Sequence, residues 1–189
     1  MKINKLKKLG TLITLTGKVE SDMVKAFDSE LVKLFNDEKN PEKKATILLS
    51  TAGGSVLDGD AIAERIKFAS RFADLQIIAM TYVMSSGVRI LLSLPREKRF
   101  ASPGAIIMIH PMGRPCEAIS KVSVDEEMRQ LTERLLGAGA AKKRETVWVK
   151  QLAREMGKSY KATKAMWETS HRFTAKEAIE NGLVSAIFR

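Results

Sequence analysis

The chain of 189 residues has a single cysteine, Cys116, so no disulfide can form within it. That suits a reducing compartment, and a cytoplasmic protein is expected. Cys116 follows His110 closely, but no surrounding pattern marks it as a nucleophile, and it reads as an ordinary thiol. No apolar stretch is long enough to span a bilayer. Leu9 to Val19 follows a basic start, yet Gly10, Gly17, Lys18 and threonines interrupt it, so it reads as a strand rather than a signal-peptide core. No Pro/Gly/Ser-rich linker, solenoid-period repeat or low-complexity tract divides the chain. One domain over residues 1–189 is therefore expected, long enough for a full core. Neither a metal nor a cofactor is expected.

Aromatic residues are also scarce, at 6%. A base-stacking platform is poorly supplied, which argues against single-stranded nucleic acid as a partner. Acidic charge falls short of basic charge, and the net charge is +10. A balance this basic raises acidic partners as a class. The charges are spread over Lys2–Lys8, Lys142–Arg144 and Lys158–Lys164, with no nucleic-acid motif beside them. Solvated helix faces and subunit contacts account for them better, so neither nucleic acid nor membrane is an expected partner.

Strand-like runs are Leu12–Thr16, Thr46–Ser50, Ile77–Tyr82, Arg99–Ser102, Ile106–His110 and Val184–Phe188. Helix-like runs alternate with them: Asp22–Phe35, Asp58–Phe72, Gly87–Leu94, Val124–Leu136 and Lys176–Glu180. Such alternation argues for an α/β fold with a largely parallel sheet.

Chemistry concentrates at Tyr82-Val83-Met84-Ser85-Ser86-Gly87-Val88-Arg89. A buried-strand pattern enters this stretch and a buried-helix pattern leaves it. Ser85 then stands at a strand-to-helix turn. An exposed hydroxyl there suits a nucleophile, since the helix N-terminus favours developing negative charge. The same two serines would serve equally as helix caps. Upstream, Ile47-Leu48-Leu49 runs into Gly53-Gly54, and backbone N–H groups at such glycines can hold an oxyanion. A bare Gly-Gly turn is by itself more often only a turn. Downstream, His110 ends the apolar run Ala105–Ile109 and is one of two histidines. A histidine so placed is commonly structural, but the serine and glycine segments favour a general base.

These segments together resemble the ClpP family, the proteolytic subunits of the Clp protease. Leu15-Thr16-Gly17-Lys18-Val19-Glu20 is similar to the family's opening strand, and Asn40-Pro41-Glu42-Lys43 precedes the next one. Ser50 to Val56 stands where the family has an Asn-Ser-Pro-Gly-Gly type loop. Met84-Ser85-Ser86-Gly87 stands for Ala-Ser-Met-Gly, and Met108-Ile109-His110-Pro111 for Met-Ile-His-Gln-Pro. Phe173 to Val184 matches the closing helix and strand. The resemblance runs from about Leu12 to Ile187. It implies the ClpP/crotonase-like fold of stacked β-β-α units, with a handle-like helical region at about 118–157, where Val124, Met128, Leu131 and Leu135 have helical spacing. It also implies a homo-oligomer of heptameric rings.

Carried onto this chain, the resemblance makes Ser85 the nucleophile and His110 the base, with the N–H groups of Gly54 and Ser86 as oxyanion hole. The family's third triad residue is an aspartate, and its position falls on Ser170. Ser170 can accept a hydrogen bond from the His110 ring but stabilises an imidazolium less well than a carboxylate does. Its neighbours Glu168 and His171 stand within a residue or two of the same place. The segment before the first strand, residues 1–10, is short and basic, which argues against docking to a Clp-type ATPase. The expected activity is that of a serine endopeptidase cleaving short or unfolded peptides without an ATPase. Ser55, Val56 and Val88 border the site without charge, so apolar side chains are the expected preference. Arg89 is the charged exception, better read as a structural salt bridge. Two alternatives stand beside this: a catalytically weak or inactive scaffold or regulatory subunit, and a crotonase-type acyl-CoA enzyme. The spacing of Ser85 and His110 favours the peptidase.

Overall fold

The computed structural model describes residues 9–111, 139 and 142–188. Strand β1 (Thr11–Val19) alternates buried and exposed side chains, with Ile13 and Leu15 inward and Leu12 outward. That is the pattern of a strand with one wet face. Helix α1 (Ser21–Asn36) follows, burying Met23, Phe27 and Leu34 along one stripe. Strand β2 (Ala45–Gly54) is buried more continuously, with Ile47 and Leu49 at the centre. Ser55 then caps helix α2 (Val56–Ala69) by accepting the Asp58 N–H at 3.2 Å. That cap starts the helix earlier than the expected Asp58, and the helix ends before Phe72. Phe68 and Phe72 lie against each other on the surface, 5.5 Å between ring centroids.

Strand β3 (Leu75–Met84) leads through Ser85 into the short helix α3 (Ser86–Leu91). Val88, Ile90 and Leu91 of that helix are fully buried, as expected of an apolar run inside the core. Strands β4 (Arg99–Ala101) and β5 (Ile106–Met108) follow. Helix α4 (142–155) packs Trp148, Val149 and Leu152 inward and turns its basic residues to solvent. The expected helical pattern Val124–Leu135 and Cys116 lie outside the described residues, so the handle-like region is described only from its later part. Helix α5 (Tyr160–Glu168) and strand β6 (Arg172–Thr174) come next, neither of them foreseen from the pattern. Helix α6 (Ala175–Glu180) begins in a capping box of Thr174 and Glu177. The cap N–H and hydroxyl of Thr174 hold the Glu177 carboxyl below its ordinary range. Strand β7 (Ala186–Ile187) closes the described chain.

The sheet order is β1-β2-β3-β4-β7, all parallel. Strand β3 is shared between two neighbours. Its first half pairs with β4 at Ile77–Ala79, and its second half pairs with β5 at Tyr82–Met84. Strand β6 then runs antiparallel to β5. This split decides where the chemistry falls. The ends of β2, β3 and β5 become neighbours, and the start of β6 joins them. In parallel sheets ligand sites form beyond such carboxyl ends. Arg99 locks the far side. It is fully buried, and its Nη2 donates to Glu155 Oε2 at 2.9 Å and to the Gly182 carbonyl at 3.3 Å. Burial pulls its pKa down, and Glu155 opposes that shift. No helix among the described residues is long and apolar enough to cross a membrane.

Candidate active site

The register of the strands delivers the site residues side by side. Met84 pairs with Met108 across β3 and β5, and the Ser85 N–H continues the ladder to the Met108 carbonyl at 3.1 Å. Ser85 thus leaves β3 beside the end of β5, two residues before His110. On the other flank, Thr51 of β2 pairs with Val83, and Gly53 lies against Ser85. A Cβ built on Gly53 would stand 2.5 Å from Ser85 Cβ and 3.1 Å from Ser85 Oγ. Only glycine lets the loop approach the serine this closely, and its φ of +95° also favours glycine.

Ser85 itself has φ 55° and ψ −126°. Few non-glycine residues adopt positive φ, and the cost is on the order of 1–3 kcal/mol. Surrounding structure holds it there: the N–H is on Met108, and the carbonyl accepts the Val88 N–H at 3.0 Å. The side chain makes no capping bond to helix α3. Capping is thus not the role in which the turn uses this hydroxyl.

Ser85 and His110 line one cleft of about 70 Å³. Gly54 and Ser86 line it as well. Ser86 opens helix α3, where a backbone N–H has no acceptor inside the helix. The Ser86 hydroxyl is buried and without a partner among the described residues. The His110 ring brings Nδ1 to 2.7 Å from the Pro111 carbonyl. A carbonyl only accepts, so Nδ1 carries the hydrogen and donates. In the neutral ring Nε2 then carries the lone pair.

Ser170 is placed differently. Strands β5 and β6 pair Met108 with Arg172, and the Ile109 N–H reaches the His171 carbonyl at 3.1 Å. Continuing that register sets the Ser170 backbone opposite His110. Its side chain is exposed, however, and makes no hydrogen bond to His110 among the described residues. Ser170 also has a positive φ of 53°. Glu168 is exposed and pairs with Lys164 at 3.3 Å. The His171 ring meets Phe173 edge-on at 4.5 Å. Neither of these neighbours bonds to His110 among the described residues.

A model of the Clp protease family matches residues 3–189. The chain belongs to the Clp protease family. The ATP-dependent Clp protease proteolytic subunits of Streptococcus pneumoniae strains JJA and CGSP14 are each 34% identical over 177 residues, covering 93% of this chain and 83% of theirs. Among solved structures, a ClpP1 mutant from Listeria monocytogenes superposes with a TM-score of 0.77 at 22% identity, over 98% of this chain and 95% of that one. The fold is therefore the ClpP/crotonase-like one expected from sequence.

Four further residues wall the cleft of this Clp family member: Val56, Arg89, Trp148 and Trp167. Arg89 is paired through Nε with Asp60, and its guanidinium carbon lies 4.5 Å from the centre of the Trp148 ring. Both links bind it into the scaffold, as a structural ion pair would. Trp148 and Trp167 were not singled out from sequence. They are the only tryptophans of the chain. A buried indole that needs a partner for its N–H is a signal that could have drawn attention to them. Trp167 is 3% exposed and donates its Nε1–H to Glu145 Oε1 at 2.9 Å. Its ring lies nearly parallel to that of His110, at 8° and 6.5 Å between centroids. Among the described residues, no three His, Cys, Asp or Glu side chains gather where a metal could sit.

Proposed function

We propose that this Clp family member is a serine endopeptidase acting on short or unfolded peptides. Ser85 Oγ attacks the peptide carbonyl while His110 Nε2 takes its proton. The N–H groups of Gly54 and Ser86 hold the oxyanion that forms. The imidazolium then returns the proton to the departing amine, and water releases the acyl group by the same route. The observation that carries the reading is Ser85 held at φ 55° in one cleft with His110, with Gly53 pressed against it. No carboxylate faces the imidazolium among the described residues. Loss of such a group elsewhere lowers turnover by about four orders of magnitude without abolishing it. A slow peptidase is therefore the expectation.

Subunits assembling into heptameric rings would enclose such sites and spare folded neighbours, and a cytoplasmic location fits this. Extended peptides need no unfolding, so their cleavage proceeds without an ATPase. The test is cleavage of a fluorogenic peptide series by the wild type and by Ser85→Ala. The expected result is slow cleavage after apolar residues that Ser85→Ala abolishes. Equal cleavage by both proteins would end the reading. One observation favours the scaffold alternative: Nδ1 of the ring is on the Pro111 carbonyl rather than on an acid. No cleavage of any peptide by a correctly assembled protein would support that alternative.

A further inference from the structure

The site has no carboxylate behind His110 among the described residues, yet the ring is not left loose. Two contacts act on it from different directions. The Pro111 carbonyl accepts from Nδ1 at 2.7 Å, which sets the tautomer. The Trp167 indole lies parallel to the imidazole within 8°, which sets the plane. The indole is in turn fixed, since its N–H is held by the Glu145 carboxylate of helix α4 at 2.9 Å. Buried indole N–H groups require such a partner, and a charged acceptor makes the stronger bond.

We propose that Trp167, anchored by Glu145, is a positioning residue for His110 and, with the Pro111 carbonyl, does the orienting work that a triad carboxylate would do. This rests on the reading of His110 as the general base. An aspartate in that place would fix tautomer and orientation and also stabilise the imidazolium. Here the first task falls to a backbone carbonyl and the second to a stacked aromatic plane. What this arrangement lacks is a full opposing charge. The device ties a residue of α5 and a residue of α4 to the chemistry of a histidine two residues beyond β5. It also gives the chain's two tryptophans different tasks: Trp148 lies against Arg89, and Trp167 against His110.

The test uses the full chain with ¹⁵N-labelled histidine. There are two histidines, so the spectrum is simple, and His110→Gln assigns it. In the wild type the His110 nitrogens should report the neutral Nδ1–H tautomer alone. Trp167→Leu frees the ring to turn away from the Pro111 carbonyl, so it should give averaged shifts of both tautomers, and labelling of Ser85 by a fluorophosphonate should slow by about three- to tenfold, the worth of an aromatic pair. Trp167→Phe should keep the single tautomer and most of the rate. Since Trp167→Leu can also loosen the core, a double-mutant cycle supplies an independent arm. Glu145→Ala should slow labelling when residue 167 is Trp and change nothing in the Trp167→Phe background, which has no indole N–H to anchor. A Trp167→Leu protein that unfolds cooperatively, labels at the wild-type rate and keeps its tautomer would overturn the proposal. So would a Glu145→Ala effect of equal size in both backgrounds. If the wild type is never labelled, the peptidase reading fails instead, and the histidine spectrum still decides the orientation.

Discussion

Gly53→Ala is the most demanding perturbation of the fold and the site together. The added methyl would stand 2.8 Å from the Met84 carbonyl oxygen and 2.5 Å from Ser85 Cβ. Ordinary contact begins near 3.4 Å, so the loop and the serine turn must part by about an ångström. The positive φ of 95° adds a backbone cost of about 1–2 kcal/mol for any L side chain. Overpacking adds about 1–3 kcal/mol. The sum is about 2–5 kcal/mol, inside the 5–15 kcal/mol of a typical domain, so the variant should still fold. Its Tm should fall by roughly 5–20 °C. An ångström of misplacement at the nucleophile costs about a hundredfold in rate. Two other glycines separate these effects. Gly17→Ala meets open space at φ +98° and should show the backbone cost alone. Gly104→Ala also meets nothing within 4 Å, has no positive φ and should be close to neutral. Thermal unfolding and the rate of fluorophosphonate labelling read the two effects. Wild-type labelling by Gly53→Ala, or a Tm loss no greater than that of Gly17→Ala, would refute the packing of this loop on Ser85.

Other outcomes follow from the same geometry. Ser170→Asp should raise kcat, by less than the roughly four orders of magnitude a triad carboxylate is worth elsewhere; its positive φ of 53° suits aspartate, and an unchanged kcat in a folded variant would show that this position does not reach His110. Arg89→Met should cost no more than about 1 kcal/mol through the lost ion pair, because the Asp60 side chain stays 39% exposed to water, while leaving the preference for apolar residues before the cut unaltered in the peptide series. Lys98, first by hydrogen bond and then by charge, holds the Asp74 carboxyl below its ordinary 3.8, with Lys44 adding to the pull. A depressed acid stabilises the fold above its unfolded pKa, and that contribution vanishes as pH falls through the folded value. The stability gap between wild type and Asp74→Asn, followed by denaturant titration, should thus be full at neutral pH and close below about pH 4.

The strand-and-helix alternation was legible because both faces of the inner strands are covered. Ile47, Leu49, Ile77 and Ala79 are fully buried and read as continuous apolar runs. The order of the glycine, serine and histidine segments was legible as well, and the structure places Gly54, Ser85, Ser86 and His110 around one cleft. What stayed hidden was pairing. Nothing local in β3 says that one half pairs with β4 and the other with β5, because that split is decided between distant segments. Strand β6 spans only Arg172–Thr174, with Phe173 its one buried side chain, too short for a periodicity to register. Helix α5 buries only Thr163 and Trp167, so its apolar stripe is thin. That thin stripe hid the indole beside His110. Phe68 and Phe72 misled in the other direction, being apolar at helical spacing yet exposed.

The central claim is that Ser85 is a nucleophile served by His110. The direct measurement is incubation with a fluorophosphonate, followed by mass spectrometry of the tryptic peptides. One adduct on Ser85 is predicted, formed slowly, absent in Ser85→Ala and slowed at least a hundredfold in His110→Ala. An adduct rate that His110→Ala leaves unchanged, or no adduct on Ser85 in the folded wild type, would contradict it.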